Sequence, residues 1–450
     1  MTPKEVDFTE FGSQNKEAWL AQAVKKLKDH AIEDLATLTY EGITVKPYYD
    51  RSDLPTTFIK EVQQVCRRPN PSYQSCVKIS LLSEAETSLQ ITEALEGGAD
   101  LIILSADEQP TTTLISFIKK AKANFPAASF VLNTLQSAHW EDAFLRSSLT
   151  AFHVDPLHHY LETGKPFEAT LAAYGDTLQK STDLAALPIT VNGHAFHNAG
   201  GQAVQELAFT LSMAVAYLDT YSKEESLLPS LLNRVVFSVT VGSHFFMEIA
   251  KLRALRWLWN KVAHSFLPTE DEPRYPLIYA QTSTWNKSPQ EAYNNMLRAT
   301  TETMAAFIGG ADRIAVQPYD IPFTSGDTFS FRMARNLPIL LKEESYLHKV
   351  EDIAAGAYFI ENLTQQLCEK AWQLFQETER QGGFMAICKN GFLQAQIEAT
   401  AAQKVADFKS GKLVLVGTNK YSNQDDQPLQ STYQVPKEAL LDTTPLALRN

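Results

Sequence analysis

Eight short apolar segments alternate with stretches of helical periodicity between Cys76 and Pro318. Val, Ile and Leu dominate these segments and charged residues are few, as in strands that are buried on both faces of a parallel sheet. The segments are Val77–Leu82, Leu101–Leu104, Phe130–Leu132, Ala151–Val154, Ile189–Val191, Val235–Val241, Leu277–Gln281 and Ile314–Pro318. Eight β/α units are the number that closes a TIM barrel, whose functional groups lie at the carboxyl ends of the strands. The pattern therefore predicts an α/β fold with a (β/α)8 TIM barrel at residues 72–345.

The sequence on either side of the predicted barrel indicates two further regions. Residues 1–71 would form an N-terminal extension, and residues 346–450 would form a C-terminal helical appendage that ends in a linker-like tail. Apolar residues near helical spacing predict a helix at Lys16–Leu38. The predicted helices of the appendage are Asn362–Gln381 and Phe392–Phe408. We therefore expect one barrel with an additional region at each end.

Two long helices are predicted inside the barrel, at Ala199–Thr220 and Ser243–Val262. Each carries one stripe of large apolar residues, which is typical of a helix that packs on a barrel or against a partner. The opposite face of the second helix bears Lys251, Arg253 and Lys261. From its charges, this face is predicted to be solvated or to lie at an interface.

Composition excludes several classes of function. The net charge of −12 argues against nucleic-acid binding, which needs clustered Lys and Arg. The polar, acidic start of the chain is unlike a signal peptide, and no apolar run has transmembrane length. The scattered cysteines predict reduced, buried thiols rather than a disulfide framework or a metal site; they are Cys66, Cys76, Cys368 and Cys388. We expect a cytoplasmic protein with neither a nucleic-acid nor a membrane partner.

Few residues are candidates for binding or catalysis. His158 and His159 fit a surface loop better than a metal site, because no cluster of Cys, Asp or Glu accompanies them. His194 follows the fifth predicted strand, where it would either face a pocket or cap a helix. The end of the seventh strand is predicted to line what remains of the central pocket; its polar residues are Gln281, Thr282 and Ser283.

Long, ordered segments of the chain resemble the methylmalonyl-CoA mutase family. These are EGITVKPYYDRSDL at Glu41–Leu54, the helical sequences at Asn192–Asp219 and His244–Trp259, the QTS…NN…GG pattern at Ala280–Asp312, and VGTNKY at Val416–Tyr421. The resemblance implies radical isomerisation of methylmalonyl-CoA and succinyl-CoA with adenosylcobalamin. It also implies a barrel that threads the CoA arm through its centre.

The chain departs from the family pattern at four places. Ile59–Ile79 retains Arg67, Arg68 and Tyr73 but lacks the TMY-x-x-RPWTIRQYAGF motif, and the later QND…R segment is absent. Tyr279 stands where the family has a His that donates to the thioester carbonyl. The cobalamin motif D-x-H-x-x-G is also absent from the sequence. Together these departures resemble a small subunit whose barrel is catalytically silent.

The resemblance therefore implies a heterodimer in which a large catalytic subunit binds adenosylcobalamin, and the extension at residues 1–71 wraps that partner. This chain would hold neither cofactor nor metal, and no catalytic residue is assigned beyond two degenerate candidates, Tyr279 and Gln281. Gln281, Thr282, Ser283 and His194 remain candidates for contact with an acyl-CoA. The alternative is an active acyl-CoA mutase barrel that uses a separately encoded cobalamin-binding domain. A third reading is a regulatory or chaperone-like module that binds the mutase transiently.

Overall fold

An eight-stranded parallel sheet forms the centre of the computed structural model. The structure describes residues 15–27, 31–54, 56–67, 73–81, 83–106, 109–180, 186–222, 227–268 and 272–449. The strands are β1 Thr37–Leu38, β2 Thr44–Val45, β3 Gln74–Ser80, β4 Leu101–Ser105, β5 Ser129–Asn133, β6 Ala151–His153, β7 Ile189–Asn192, β8 Val235–Val241, β9 Leu277–Thr282 and β10 Arg313–Ala315. Strands β1 and β2 form a separate antiparallel pair. The sheet has the order β6-β5-β4-β3-β10-β9-β8-β7.

Helices surround this sheet on its outer side. They are α1 Lys16–Leu27, α2 Thr56–Cys66, α3 Glu84–Glu96, α4 Thr111–Asn124, α5 Ser137–Glu141, α6 Ala143–Ser148, α7 Pro156–Thr163, α8 Glu168–Lys180, α9 His194–Asn198, α10 Ala203–Tyr221, α11 Leu228–Leu232, α12 Phe245–Phe266, α13 Asn294–Ile308, α14 Thr328–Glu343, α15 Tyr358–Arg380, α16 Phe384–Lys389 and α17 Phe392–Lys409. The alternation of strands and helices confirms the predicted α/β barrel.

The sheet curves into a nearly closed barrel. The first and last barrel strands pair with each other, since β10 aligns Ile314 with Ser75 of β3. At the seam between β6 and β7, the amide of Phe152 donates to the carbonyl of Ala186 at 2.8 Å. The carboxyl ends of all eight strands therefore meet at one face of the barrel.

Each of the eight predicted strands is present, with ends shifted by a few residues. The prediction of one helix at Lys16–Leu38 is wrong in its second half. There Ile32–Leu35 form a 3-10 turn, and β1 pairs with β2 through a tight turn at Gly42. Gly42 has a φ of +67°, which glycine adopts without strain, so it allows the tight turn that joins β1 to β2.

The predicted solvated or interfacial face of α12 is also wrong for two of its three cations. Lys251 and Arg253 are each 1% exposed. The reason is that α15 of the C-terminal region packs along α12 and brings Glu361 to Arg253, at 2.9 Å between Nη2 and Oε2. Arg253 also pairs with Asp352. Burial is possible because each charge meets a carboxylate.

The cysteine prediction is confirmed, because all four thiols are free and buried. Burial raises the pKa of Cys66 to about 11 and that of Cys76 to about 12, so both thiols stay protonated at neutral pH. Within the described ranges, no helix is both long enough and apolar enough to cross a bilayer.

Replacing Arg253 with Met should destabilise the fold strongly. Arg253→Met keeps much of the side-chain volume but leaves the fully buried carboxylate of Glu361 without its cation. We expect the free energy of unfolding to fall by about 3–5 kcal/mol, measured by chemical denaturation. The matched control is Arg380→Met, which removes an exposed ion pair with Glu377 and should cost less than about 1 kcal/mol. Equal losses in the two variants would contradict the assigned role of Arg253.

Candidate functional site

An apolar cluster fills the interior of the barrel. Its seven buried residues come from β3, β4, β5, β6, β9 and β10 and contact one another; they are Cys76, Leu101, Ile103, Val131, Ala151, Tyr279 and Ala315. Strands β5 and β9 lie on opposite sides of the ring, so the cluster crosses the barrel axis. Leu101 and Val131 are completely buried. We call this cluster the apolar plug, and because of it the barrel centre is a packed core rather than a channel.

A polar cavity of about 180 Å³ opens above the apolar plug, at the carboxyl ends of the strands. We call it the mouth cavity. Three of the predicted site residues line it, namely Tyr279, Gln281 and His194. The ring of Tyr279 lies edge-on between His194 and His153, with centroid distances of 6.1 and 6.4 Å. The alternation of side chains in β9 thus brings Tyr279 and Gln281 to the same inner side of the barrel.

The other two predicted residues, Thr282 and Ser283, do not line the mouth cavity. The hydroxyl of Thr282 accepts a hydrogen bond from the amide of Gln317 at 2.8 Å. The hydroxyl of Ser283 lies 3.0 Å from Nε2 of His197 and accepts from the amide of Trp285 at 3.0 Å. Both hydroxyls therefore hold neighbouring loops in place, and their contact with a ligand stays a prediction.

Of the two roles expected for His194, the structure gives it a place at the cavity wall, whereas Gly193 is the N-cap of α9 and no side chain caps that helix. His194 is the first residue of α9, and its amide donates to Oδ1 of Asn192 at 3.0 Å. Its ring nitrogens lie 2.8 Å from the hydroxyls of Thr240 and Ser238. Burial lowers the pKa of His194 to about 3, so the ring is neutral at pH 7. A neutral imidazole donates to one hydroxyl and accepts from the other, which holds the ring in place at the cavity wall.

Two further residues at the mouth cavity were not found from the sequence. His153, at the end of β6, is 6% exposed, and Thr190 of β7 is 3% exposed. Nε2 of His153 and the hydroxyl of Thr190 are buried without a hydrogen-bond partner. Burial lowers the pKa of His153 to about 3. The signal available in the sequence was strand alternation, which places His153 two residues after Ala151 of the apolar plug.

The prediction that His158 and His159 lie in a surface loop is wrong. Both belong to α7, and both line the mouth cavity. Asp155 caps this helix by accepting from the amide of His158 at 2.8 Å. Burial acts to lower the pKa of His158, whereas the nearby carboxylate of Glu162 raises it, and the net effect is a raised pKa. Oε2 of Glu162 lies 3.3 Å from Nε2 of His158. Across the described residues, no group of three or more His, Cys, Asp or Glu is placed to hold a metal ion.

Asp155 joins α7 to the neighbouring strand and helix. Its carboxylate accepts from the amide of Asn192 at 2.6 Å and from the hydroxyl of Tyr217. Burial raises the pKa of Asp155. The carboxylate is fully engaged by these donors together with the amide of His158, so its role at the cavity is structural.

Tyr73 and Arg67, the described remnants of the family's tyrosine and arginine segment, do not line the mouth cavity. Tyr73 is buried outside the barrel, where its hydroxyl donates to the carbonyl of Phe307 at 3.3 Å. Arg67 is exposed at the end of α2, and Arg68 lies outside the described residues. The mouth cavity therefore combines hydrogen-bonding groups with charged residues, among which Lys78 is a cation and Glu162, whose pKa burial would raise but His158 lowers to about 2, is an anion.

The family model and the sequence relatives named below agree on one family. The family model for methylmalonyl-CoA mutase matches residues 120–445. The methylmalonyl-CoA mutase small subunit of Porphyromonas gingivalis is 30% identical over 93% of this chain and 72% of its own length.

Two further relatives extend the comparison. The methylmalonyl-CoA mutase of Cereibacter sphaeroides is 27% identical over 93% of this chain and 66% of its own length. A probable small subunit of Mycobacterium tuberculosis is 37% identical over 54% of this chain and 39% of its own length. The chain thus spans only part of each relative.

His153 is buried with its imidazole in the neutral form, and this predicts that the stability of the fold depends on pH. Its pKa is about 3 in the folded chain and about 6.5 when unfolded, so between these values the unfolded state binds more protons and stability falls as pH falls. The free energy of unfolding should fall between pH 6 and pH 5 in both proteins, and this fall should be about 1 kcal/mol smaller in His153→Gln than in the native chain. The measurement is chemical denaturation at both pH values.

The matched control for this variant is His264→Gln, which changes an exposed histidine of α12 and should keep the native pH slope. An unchanged slope in His153→Gln would mean that His153 is not held neutral by the fold.

Proposed function

The chain belongs to the methylmalonyl-CoA mutase family, and from this membership we propose that it is the small, non-catalytic subunit of an adenosylcobalamin-dependent methylmalonyl-CoA mutase. The complete enzyme would interconvert methylmalonyl-CoA and succinyl-CoA, and this chain would stabilise the barrel of a large catalytic subunit. Relatives named small subunits support the subunit type.

The observation that carries this proposal is the apolar plug. A barrel that threads the CoA arm through its centre needs an open axis, whereas here Leu101, Val131 and their neighbours occupy the axis at close packing. Opening it would remove several buried apolar side chains from contact, at about 2–5 kcal/mol for each large one. The filled axis thus favours a barrel that no longer takes acyl-CoA.

The mouth cavity supports the same reading. A carboxylate substrate is held best by the planar fork of an arginine, and among the described residues that line this cavity none is arginine. Tyr279 replaces the family histidine, and burial raises its pKa. Its hydroxyl is therefore a neutral donor, and the cavity retains hydrogen-bonding groups without an arginine for an acyl carboxylate.

The residues at the barrel mouth do not fit adenosylcobalamin, which supplies the radical in this family. The mouth cavity is too small for a tetrapyrrole. Beyond the end of β9, the chain's own tail covers Trp285, since the amide of Leu446 donates to the Trp285 carbonyl at 2.9 Å and the guanidinium of Arg449 lies 4.6 Å from its ring. These contacts support a cofactor that is bound by the partner.

The partner in this proposal is the large catalytic subunit, which residues 1–71 would wrap. In the described part of this extension, Trp19 and Tyr48 stack with centroids 4.6 Å apart, so they form a preformed aromatic surface within the chain. Exposed aromatic residues elsewhere offer more apolar area, such as Tyr293 at 63% and Tyr421 at 73% exposure. Obligate interfaces of this kind bury more than about 2,000 Å².

The alternative function is an active acyl-CoA mutase barrel with a separately encoded cobalamin-binding domain. Its supporting observation is that Tyr279 and Gln281 both line the mouth cavity, where they could donate to a thioester carbonyl. This alternative requires the apolar plug to open for CoA.

Reconstitution with a large subunit distinguishes the two functions. The large subunit is expected to be less stable and less active alone than with this chain. In the complex, Tyr279→Phe should leave turnover unchanged within about twofold, whereas loss of a catalytic proton donor costs about 10²–10⁴-fold. The measurement is the rate of succinyl-CoA isomerisation.

Gln281→Leu serves as a second variant at the mouth cavity, with the same expected result. Turnover by this chain with only a free cobalamin-binding protein, lost in Tyr279→Phe, would establish the alternative and reject the non-catalytic proposal.

A further inference from the structure

A second cavity, of about 500 Å³, lies between the barrel and the two terminal regions. We call it the tail cavity, because the C-terminal segment 413–416 and Leu446 contribute to its walls. It shares no lining residue with the mouth cavity. Its apolar surface includes Trp285, Met247, Leu413 and Leu415, which makes it large and apolar enough to hold a small organic molecule.

Two cations line this apolar cavity, Lys404 of α17 and Arg298 of α13. The ammonium of Lys404 donates to the carbonyl of Gly201 at 2.8 Å and lies 5.6 Å from the ring centroid of Tyr40. The guanidinium of Arg298 donates to Oδ1 of Asn295 at 2.5 Å and to the carbonyl of Val416 at 2.6 Å. All of these partners are neutral.

The absence of a close counter-ion distinguishes Lys404 and Arg298, which are half-buried, from the buried cations Lys251, Arg253 and Lys287. Within the described ranges, neither has a carboxylate oxygen within 4.0 Å. By contrast, Lys251, Arg253 and Lys287 each pair with a carboxylate at 2.5–2.9 Å. A charge held away from water without a counter-ion raises the free energy of the folded state. An anion bound in the cavity would offset much of this free-energy cost.

Two carboxylates also line the tail cavity, and neither pairs directly with Lys404 or Arg298 among the described contacts. Glu248 has its Oε2 2.5 Å from Nζ of Lys251, and Oε1 of Glu41 accepts from the amide of Ala203 at 3.3 Å. Burial lowers the pKa of Lys404 to about 8, and burial also lowers the pKa of Arg298. Glu41 acts on Lys404 only at longer range, as the largest of the charges that raise its pKa, so the ammonium has no carboxylate in direct contact.

We propose that the tail cavity binds an organic monoanion, a carboxylate on an apolar body, with its carboxylate paired to Lys404 and its body packed against Trp285 and the leucines of the tail. The carboxylate would supply the close counter-ion that Lys404 lacks. This inference is independent of the mutase proposal, because it uses neither the mouth cavity nor the subunit partner.

Isothermal titration calorimetry of the full chain with octanoate and octan-1-ol tests the proposal. The two probes share an alkyl chain and differ in charge. Octanoate should bind at one site at least about tenfold more tightly than octan-1-ol, because a hydrogen bond to a charged group is worth about 1.5–3 kcal/mol. Lys404→Met should abolish this preference, while Lys409→Met, an exposed position on the same helix, should retain it.

The pH dependence of octanoate binding gives a second test on the native chain. Lys404 binds the anion only as a cation, and the bound anion raises its pKa. Affinity should therefore be nearly constant between about pH 6 and pH 7, where octanoate is ionised and Lys404 is charged, and should approach a tenfold fall per pH unit above about pH 8. The groups whose charges act on Lys404 are Glu41, Glu206, Glu248 and Lys251. Of these, Glu206 and Glu248 form the buried ion pairs with Lys251.

Equal affinity for octanoate and octan-1-ol, absence of saturable binding, or an unchanged octanoate preference in Lys404→Met would each overturn the proposal. If Lys404→Met does not fold, the pH series decides alone, and a flat profile between pH 7 and 9 would reject the site. Either result leaves the reconstitution test of the mutase proposal unaffected, because that test measures turnover with the large subunit.

Discussion

The buried carboxylate of Glu206 connects the elements on which both cavities depend. From α10, it accepts from the amide of Thr240 in β8 at 2.9 Å and pairs with Lys251 of α12 at 2.6 Å. Its Oε2 also lies 3.6 Å from Nδ1 of His197 in α9. Burial would raise the pKa of Glu206, but Lys251 and His197 lower it to about 2. The carboxylate is thus ionised throughout the physiological range.

This position makes α9 the shared wall of two sites. His194, at its start, faces the mouth cavity, while His197, one turn later, faces the tail cavity. Both rings are held by hydroxyls of neighbouring strand ends, namely Thr240 for His194 and Ser283 for His197. Because removal of one partner of a buried ion pair leaves an uncompensated charge, a change at Glu206 or Lys251 would disturb both cavities together.

The sequence predicted the barrel well and the site only in part. The eight apolar segments predicted the strands, because a strand buried on both faces must be apolar whatever lies across from it. Strand position predicted Gln281 at the mouth, and the family resemblance predicted Tyr279 there. His153 and Thr190 were missed, since their role depends on a cavity between strands that are far apart in sequence. The sequence predicted a solvated or interfacial face for Lys251 and Arg253, because Glu206 and Glu361, which pair with them, lie on other helices.

The sequence by itself determined the family, the order of the strands and the absence of the arginine and cobalamin motifs, because all of these are properties of local pattern. The tertiary structure alone decided that the barrel axis is filled, that charged residues of α12 are buried, and that Lys404 faces an apolar cavity without a close counter-ion. The physical reason is that periodicity records which side of an element is buried. The groups that meet there, and the space left between them, depend on how distant elements pack.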